Sequence, residues 1–155
     1  FSIKIKIKFI PAEKIIFIEK NKFNYNKIKQ KLNYYIKKYK QICVPGFYGI
    51  NEHNDIVLFK RGGGDLTGGV IAKCYDNCLY ENFTDVDGVF EEDPKIKKSK
   101  LLKSLSYDQL TLITKTCGVV QNDCALLLKN SNVVLNVRNV FHLNIKGSFI
   151  KNYWK

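Results

Sequence analysis

Phe59-Lys60-Arg61-Gly62-Gly63-Gly64-Asp65-Leu66-Thr67-Gly68-Gly69 sets three consecutive glycines between an apolar run and a helical pattern. Ile56–Phe59 before them reads as a strand, and Leu66, Val70 and Cys74 after them recur on one helix face. A strand, a glycine turn and a helix together make an α/β unit. Glycines at such a turn let backbone approach a ligand closely, and a helix N-terminus favours anions. The segment is not a Walker A loop, because no Gly-Lys-Ser/Thr follows, and it lacks the GxGxxG dinucleotide spacing. A flexible turn is the competing reading of the glycines. Arg61 speaks for a ligand: all but two basic residues are lysines, so an Arg beside this loop suggests a planar fork on a carboxylate or phosphate.

Outward from this unit, strands and helices alternate. Upstream, Ile3, Ile5, Ile7 and Phe9 alternate with lysines, predicting a strand with one wet face that Pro11 ends. Ile15–Ile18 suits a short buried strand. Ile28, Leu32, Tyr35, Ile36 and Tyr39 predict a helix over Asn26–Lys40, and Gln41–Val44 a further strand. Downstream, Leu79–Thr84 reads as a strand and a charged loop covers Glu91–Lys103. Ser106 and Gln109 fit a capping box opening a helix, and a short helix is expected over Asp123–Lys129. Val133–Val137 and Gly147–Ile150 complete the pattern as strands. The expected class is α/β, layered, with right-handed crossovers.

Composition narrows the function. The 155 residues carry 26 Lys+Arg against 14 Asp+Glu, a formal charge of +12. That excess first suggests nucleic acid, but it is almost all Lys, in a chain also rich in Ile and Asn, and no nucleic-acid motif accompanies it. A nucleic-acid partner is therefore not expected. No stretch approaches the roughly 20 apolar residues of a membrane helix, and Phe1–Phe9 has no h-region of a signal peptide. Phe1 and the lack of any Met read as something other than a native start. Five cysteines exclude a fully paired disulfide framework. Cys74 and Cys78 have no second Cys/His pair for zinc, and His53 and His142 lie far apart. Reduced thiols in the cytoplasm are expected, and no metal site.

A second segment, Thr84-Asp85-Val86-Asp87-Gly88 followed by Asp93-Pro94-Lys95, stands at a predicted strand's carboxyl end, where α/β sheets usually bind ligands. By itself it is a turn or an incomplete calcium loop. The ordered set is more specific: PGFYG (Pro45–Gly49), RGGGDLTGG (Arg61–Gly69), YENFTDVDGVF (Tyr80–Phe90), DPK (Asp93–Lys95), LSY (Leu105–Tyr107) and NVRN (Asn136–Asn139). Together these resemble aspartate kinases of the amino acid kinase family, most closely their Gram-positive branch. The likeness runs from about Phe9 to Ile150 and matches only the second half of that family's kinase domain.

The resemblance implies a three-layer αβα sandwich of the amino acid kinase (carbamate kinase-like) type, incomplete, with residues 1–155 forming a partial kinase domain. It implies ATP with Mg²⁺ as co-substrate, L-aspartate as acceptor and 4-phospho-L-aspartate as product, the entry to lysine, threonine and methionine. Arg61 matches the arginine that grips the amino acid's carboxylate. Asp65 matches the acidic residue that helps place the substrate and the catalytic lysine. Thr84 and Asp85 match nucleotide positions, as do Phe90, usually Tyr, and Lys95, usually Arg. The full-length parent is expected as a homodimer. Phosphoryl transfer needs chiefly positioning and charge neutralisation, which such groups supply.

Several positions depart from the pattern. No Lys-Phe-Gly-Gly motif, which carries the family's catalytic lysine, occurs in the 155 residues, and the regulatory domains are not matched either. Gly64 stands where a substrate-contacting Ser is usual. Gly118–Asp123 is about one residue short and lacks the usual Lys or His. The chain is thus expected to be a fragment of a kinase or a decayed relative, inactive in isolation. The rival reading is a non-catalytic nucleotide- or partner-binding module of the same descent. A kinase for glutamate or acetylglutamate fits the RGG.D and YEN.TDVDG pattern less well.

Overall fold

A computed structural model of the chain describes residues 7–75, 77–92, 99–114 and 118–152. The chain divides into two compact units, Phe1–Thr67 and Gly68–Lys155, the division falling within one helix, Gly63–Lys73.

In the first unit, β1 (Lys8–Phe9) pairs in parallel with β4 (Ile42–Cys43). The lysine alternation around it does not bury its apolar face: Ile7 and Phe9 are exposed, and Ile10 enters the core instead. The earlier part of that predicted strand, residues 1–6, lies outside the described residues. Pro11 opens a 3₁₀ turn over Ala12–Lys14, so Ile15 and Ile16 are fully buried without forming a strand. Phe17 makes an isolated parallel bridge to Ile50, and Ile18–Glu19 (β2) pairs with β3 (Lys22–Phe23) across Lys20-Asn21. Both turn residues have positive φ, the geometry of a two-residue hairpin that matches strand twist.

Asn24 caps α1 (Tyr25–Tyr39), its side chain accepting from the Lys27 N–H at 3.0 Å. Ile28 and Leu32 of α1 are buried, while Tyr34 and Ile36 reach solvent. β5 (Tyr48–Ile50) and β6 (Ile56–Leu58) form an antiparallel pair; β5 is a strand the sequence pattern does not reveal.

The second unit holds a four-stranded mixed sheet in the order β7-β9-β10-β8. These strands are Leu79–Thr84 (β7), Ser104–Leu105 (β8), Val134–Asn139 (β9) and Ser148–Ile150 (β10). β7 runs parallel to β9 in the register Leu79↔Val134 to Thr84↔Asn139, and β9 is antiparallel to β10. A parallel pair needs a crossover. Here it carries β8, α3 (Tyr107–Ile113) and α4 (Asn122–Leu128).

Ser106 opens α3 with a complete capping box: its hydroxyl accepts from the Gln109 N–H, and the Gln109 side chain accepts from the Ser106 N–H. Leu110, Cys124, Ala125, Leu128, Leu135, Val137 and Ile150 pack the core between helices and sheet. Tyr107 is fully buried there, its hydroxyl donating to the Val133 carbonyl at 3.0 Å. Burial pushes this phenol well up, which keeps it neutral. The helix Gly63–Lys73 (α2) enters this unit at Gly68-Gly69. A β-carbon on Gly69 would stand 2.8 Å from Cys124 Sγ, and one on Gly68 would collide with the Tyr80 ring. These two glycines serve close helix packing rather than a ligand.

Candidate functional site

Within the first unit, the Pro45–Gly49 and Arg61–Thr67 segments meet. Gly62, at φ 83°, makes the turn into α2, a conformation that only glycine adopts without strain. Asp65 stands in the first turn of α2, where a carboxylate complements the helix dipole. The buried Thr67 hydroxyl donates to the Gly63 carbonyl at 2.7 Å and accepts from the Phe47 N–H at 3.1 Å, tying the two segments. A β-carbon on Gly46 would lie 3.1 Å from Gly64 Cα, so backbone meets backbone. Gly63 is closed in by Phe47 and Phe59, whereas a β-carbon on Gly64 would find its nearest neighbour, Phe47 Cε2, at 3.4 Å. Arg61 is exposed and has no hydrogen bond or ion pair among the described residues.

In the second unit, Thr84 ends β7 at the carboxyl edge of the parallel pair. Its hydroxyl donates to Asp85 Oδ1 at 3.3 Å, and Asp85 is exposed. Gly88 and Val89 are buried, the Val89 N–H donating to Ser148 Oγ at 2.8 Å. Phe90 bridges Leu101 antiparallel, flanked by Leu102 N–H to Val89 carbonyl and Glu91 N–H to Lys100 carbonyl bonds. Lys95 and the rest of Asp-Pro-Lys lie outside the described residues.

The other arginine has a fork of its own. Arg138 Nη1 donates to Glu81 Oε1 at 2.8 Å, its Nη2 to the Leu143 carbonyl at 2.8 Å, and its guanidinium lies 5.6 Å from the centre of the Phe83 ring. It braces β7 against β9 and the loop that follows.

Three residues whose role the sequence leaves unread gather on the Thr84–Gly88 loop. Asn139 Nδ2 donates to Asp87 Oδ1 at 2.7 Å and to the Asp85 carbonyl at 3.3 Å. His142 Nδ1 stands 2.9 Å from the same Asp87 oxygen. Bonds from His142 and then Asn139 hold the Asp87 carboxyl below its ordinary value, against a smaller opposing effect of burial. Residue types alone give no signal for this cluster, because more than fifty residues separate Asp87 from its partners.

Among the described residues no three His, Cys, Asp or Glu side chains gather to hold a metal ion. Nor is any described helix long and apolar enough to cross a membrane.

The profile of the amino acid kinase family matches residues 2–139. An aspartokinase of Bacillus sp. (strain MGA3) is 36% identical over 115 residues, 73% of this chain and 27% of the relative. Aspartokinase 3 of Bacillus subtilis is 30% identical over 109 residues, 69% of this chain and 24% of the relative. The chain therefore spans about a quarter of the length of these relatives. Clostridium acetobutylicum aspartate kinase superposes with a TM-score of 0.78 at 30% identity, over 94% of this chain and 33% of that one. Escherichia coli aspartokinase III, solved with aspartate and ADP, gives 0.85 at 14% identity over 97% of this chain and 36% of its own, a likeness of fold. The α/β units described above are those of a known fold, and the chain belongs to the amino acid kinase family.

Proposed function

We propose that this chain is the aspartate- and nucleotide-binding part of an aspartate kinase. The whole protein would transfer the γ-phosphoryl group of ATP to the side-chain carboxylate of L-aspartate. A carboxylate oxygen forms the new bond to phosphorus, the bond to the β-phosphate bridging oxygen breaks, and ADP leaves. The product is 4-phospho-L-aspartate, which enters lysine, threonine and methionine synthesis. The observation that carries the reading is Thr84-Asp85 at the carboxyl end of β7, in a chain 36% identical to an aspartokinase.

In this reading the exposed guanidinium of Arg61 grips an aspartate carboxylate through two parallel N–H bonds. Asp65, at the start of α2, helps place the substrate and the lysine of the family's Lys-Phe-Gly-Gly motif. Thr84, Asp85, Phe90 and Lys95 serve the nucleotide. Mg²⁺ arrives on the ATP phosphates and neutralises charge there. The bound aspartate and ADP of the E. coli enzyme support these two substrates. Cys43, Cys74, Cys78 and Cys124 are not in disulfides, in keeping with a cytoplasmic enzyme.

The catalytic lysine is not among these 155 residues, so the chain without it should lack aspartate-dependent turnover. Trapping of aspartyl phosphate with hydroxylamine tests this. The expected result is hydroxamate from a protein that joins this chain to a Lys-Phe-Gly-Gly segment, and none from the chain itself. Turnover that copurifies with the chain, or none from the joined protein, would contradict the reading. The second outcome would favour a non-catalytic module, for which Gly64 and the shortened Gly118–Asp123 segment already speak.

A further inference from the structure

We propose that Asn139 and His142 are positioning residues that clasp the Asp85–Gly88 loop to the end of β9 and so hold Thr84 and Asp85 in place for a nucleotide. The proposal rests on the nucleotide reading of Thr84 and Asp85. It gives a task to the end of the Asn136–Asn139 motif and to Asp87, which that reading leaves without one.

The loop after β7 has no regular structure, and a segment of this kind loses conformational entropy when a ligand orders it. Four bonds remove much of that freedom beforehand. The Val140 N–H donates to the Thr84 carbonyl at 2.9 Å, extending the β7–β9 ladder by one step. Asn139 is nearly fully buried and uses both ends of its amide. Nδ2 has two hydrogens and serves the Asp85 carbonyl and the Asp87 carboxylate, while Oδ1 accepts from the Phe141 N–H at 2.8 Å. The fourth bond comes from His142, reaching Asp87 from the loop that follows β9.

An ionised carboxylate only accepts, so His142 Nδ1 carries the proton in this contact. The bond then persists whether the ring is neutral or cationic. With Nδ1 donating to Asp87, its 3.3 Å approach to Asn139 Nδ2 is a contact rather than a bond. The charged groups on the two loops and the strand ends near Asp87 include Asp85, His142, Arg138 and Lys146, and the Arg138 fork is engaged by Glu81 and the Leu143 carbonyl. Of these side chains, His142 is the one that the structure places in hydrogen-bond contact with Asp87.

The test uses the 155-residue chain, MgATP as probe, and NMR of the Thr84–Gly88 amides and the Asp87 carboxyl carbon. Asn139→Asp keeps the side-chain shape but sets a second carboxylate against Asp87. It should weaken MgATP binding roughly tenfold and shift the loop amides, with Leu135 and Val137 unmoved. Adding Asp87→Asn exchanges donor and acceptor and should recover most of the affinity. His142→Ala should raise the titration midpoint of Asp87 toward the ordinary carboxylate value, a readout that does not depend on the Asn139 variant folding. Unchanged affinity in Asn139→Asp, no rescue by the exchanged pair, or an unmoved Asp87 midpoint would overturn the proposal. If the unsubstituted chain gives no MgATP shifts at Thr84 and Asp85 while the Asp87 midpoint moves as expected, the nucleotide reading fails and the positioning role falls with it. If MgATP binds and the variants bind it equally well, the positioning role falls by itself.

Discussion

Gly88 lies against Ser148 so closely that a β-carbon on it would stand 2.5 Å from the Ser148 hydroxyl oxygen. The same serine accepts from the Val89 N–H and donates to the Leu102 carbonyl. The end of the TDVDG segment is thereby fastened to the first residue of β10.

Gly88 also has φ 143°, which side-chain-bearing residues rarely adopt. Gly88→Ala therefore combines backbone strain with a collision and should cost about 2 kcal/mol or more. Gly118, whose added β-carbon would meet nothing within 4 Å, is the control. Gly118→Ala should stay within about 0.5 kcal/mol of the parent. Denaturant unfolding of both variants checks the contrast.

Gly64→Ser restores the hydroxyl usual in aspartate kinases, and the added β-carbon meets only ordinary contact with Phe47. Its stability should match that of the parent within about 0.5 kcal/mol. In the joined, lysine-bearing protein it should lower the KM for aspartate and leave that for ATP unchanged. A KM for aspartate that does not fall would remove Gly64 from the substrate site.

Arg61→Lys keeps the charge and loses the two-bond fork. A charge-assisted contact is worth roughly 1.5–3 kcal/mol, so kcat/KM for aspartate should fall about ten- to a hundredfold in the joined protein. The KM for ATP should barely move. An effect confined to ATP would mean that the two subsites are assigned the wrong way round.

Asp87 links the loop to pH. Its folded-state value lies below the ordinary carboxylate value of 3.8, so its contribution to stability is present above that value. It is lost as pH falls from about 4 through the folded value. Asp87→Asn should therefore flatten the acid limb of the stability profile below about pH 4 and leave its slope near neutrality unchanged. Denaturation midpoints measured across that range read the difference.

Elements with strong local signals were legible in the sequence. The strand Leu79–Thr84 occurs as expected, and the Ser106–Gln109 capping box closes on both sides. The helix expected over Asn26–Lys40 forms one residue earlier, because Asn24 caps it. Short strands such as Tyr48–Ile50 and Ser104–Leu105 were hidden, since two or three residues carry no periodicity and only their partners define them. The apolar run at Ile15–Ile18 is buried at its three isoleucines, but only its second half is β-paired, because Pro11 starts a tight turn just before it.

In the candidate site, Arg61, Gly64, Asp65, Thr84, Asp85 and Phe90 are proposed from a family pattern. The bond of Asn139 to Asp87, 52 residues apart, leaves no such local trace. The double glycine Gly68-Gly69 carries no role in the sequence itself: glycine tolerates approach by a ligand and by packed side chains alike, and only packing shows which it meets.

The central claim, that this chain carries the nucleotide-binding part of an aspartate kinase, is tested most directly by titrating it with MgATP and following its backbone amides. The account expects saturable shifts at Thr84, Asp85 and Phe90 with a dissociation constant of roughly 1 mM, equivalent to about 4 kcal/mol. Absence of shifts at these three residues up to several times that concentration, or shifts confined to the lysine-rich face of α1, would contradict it.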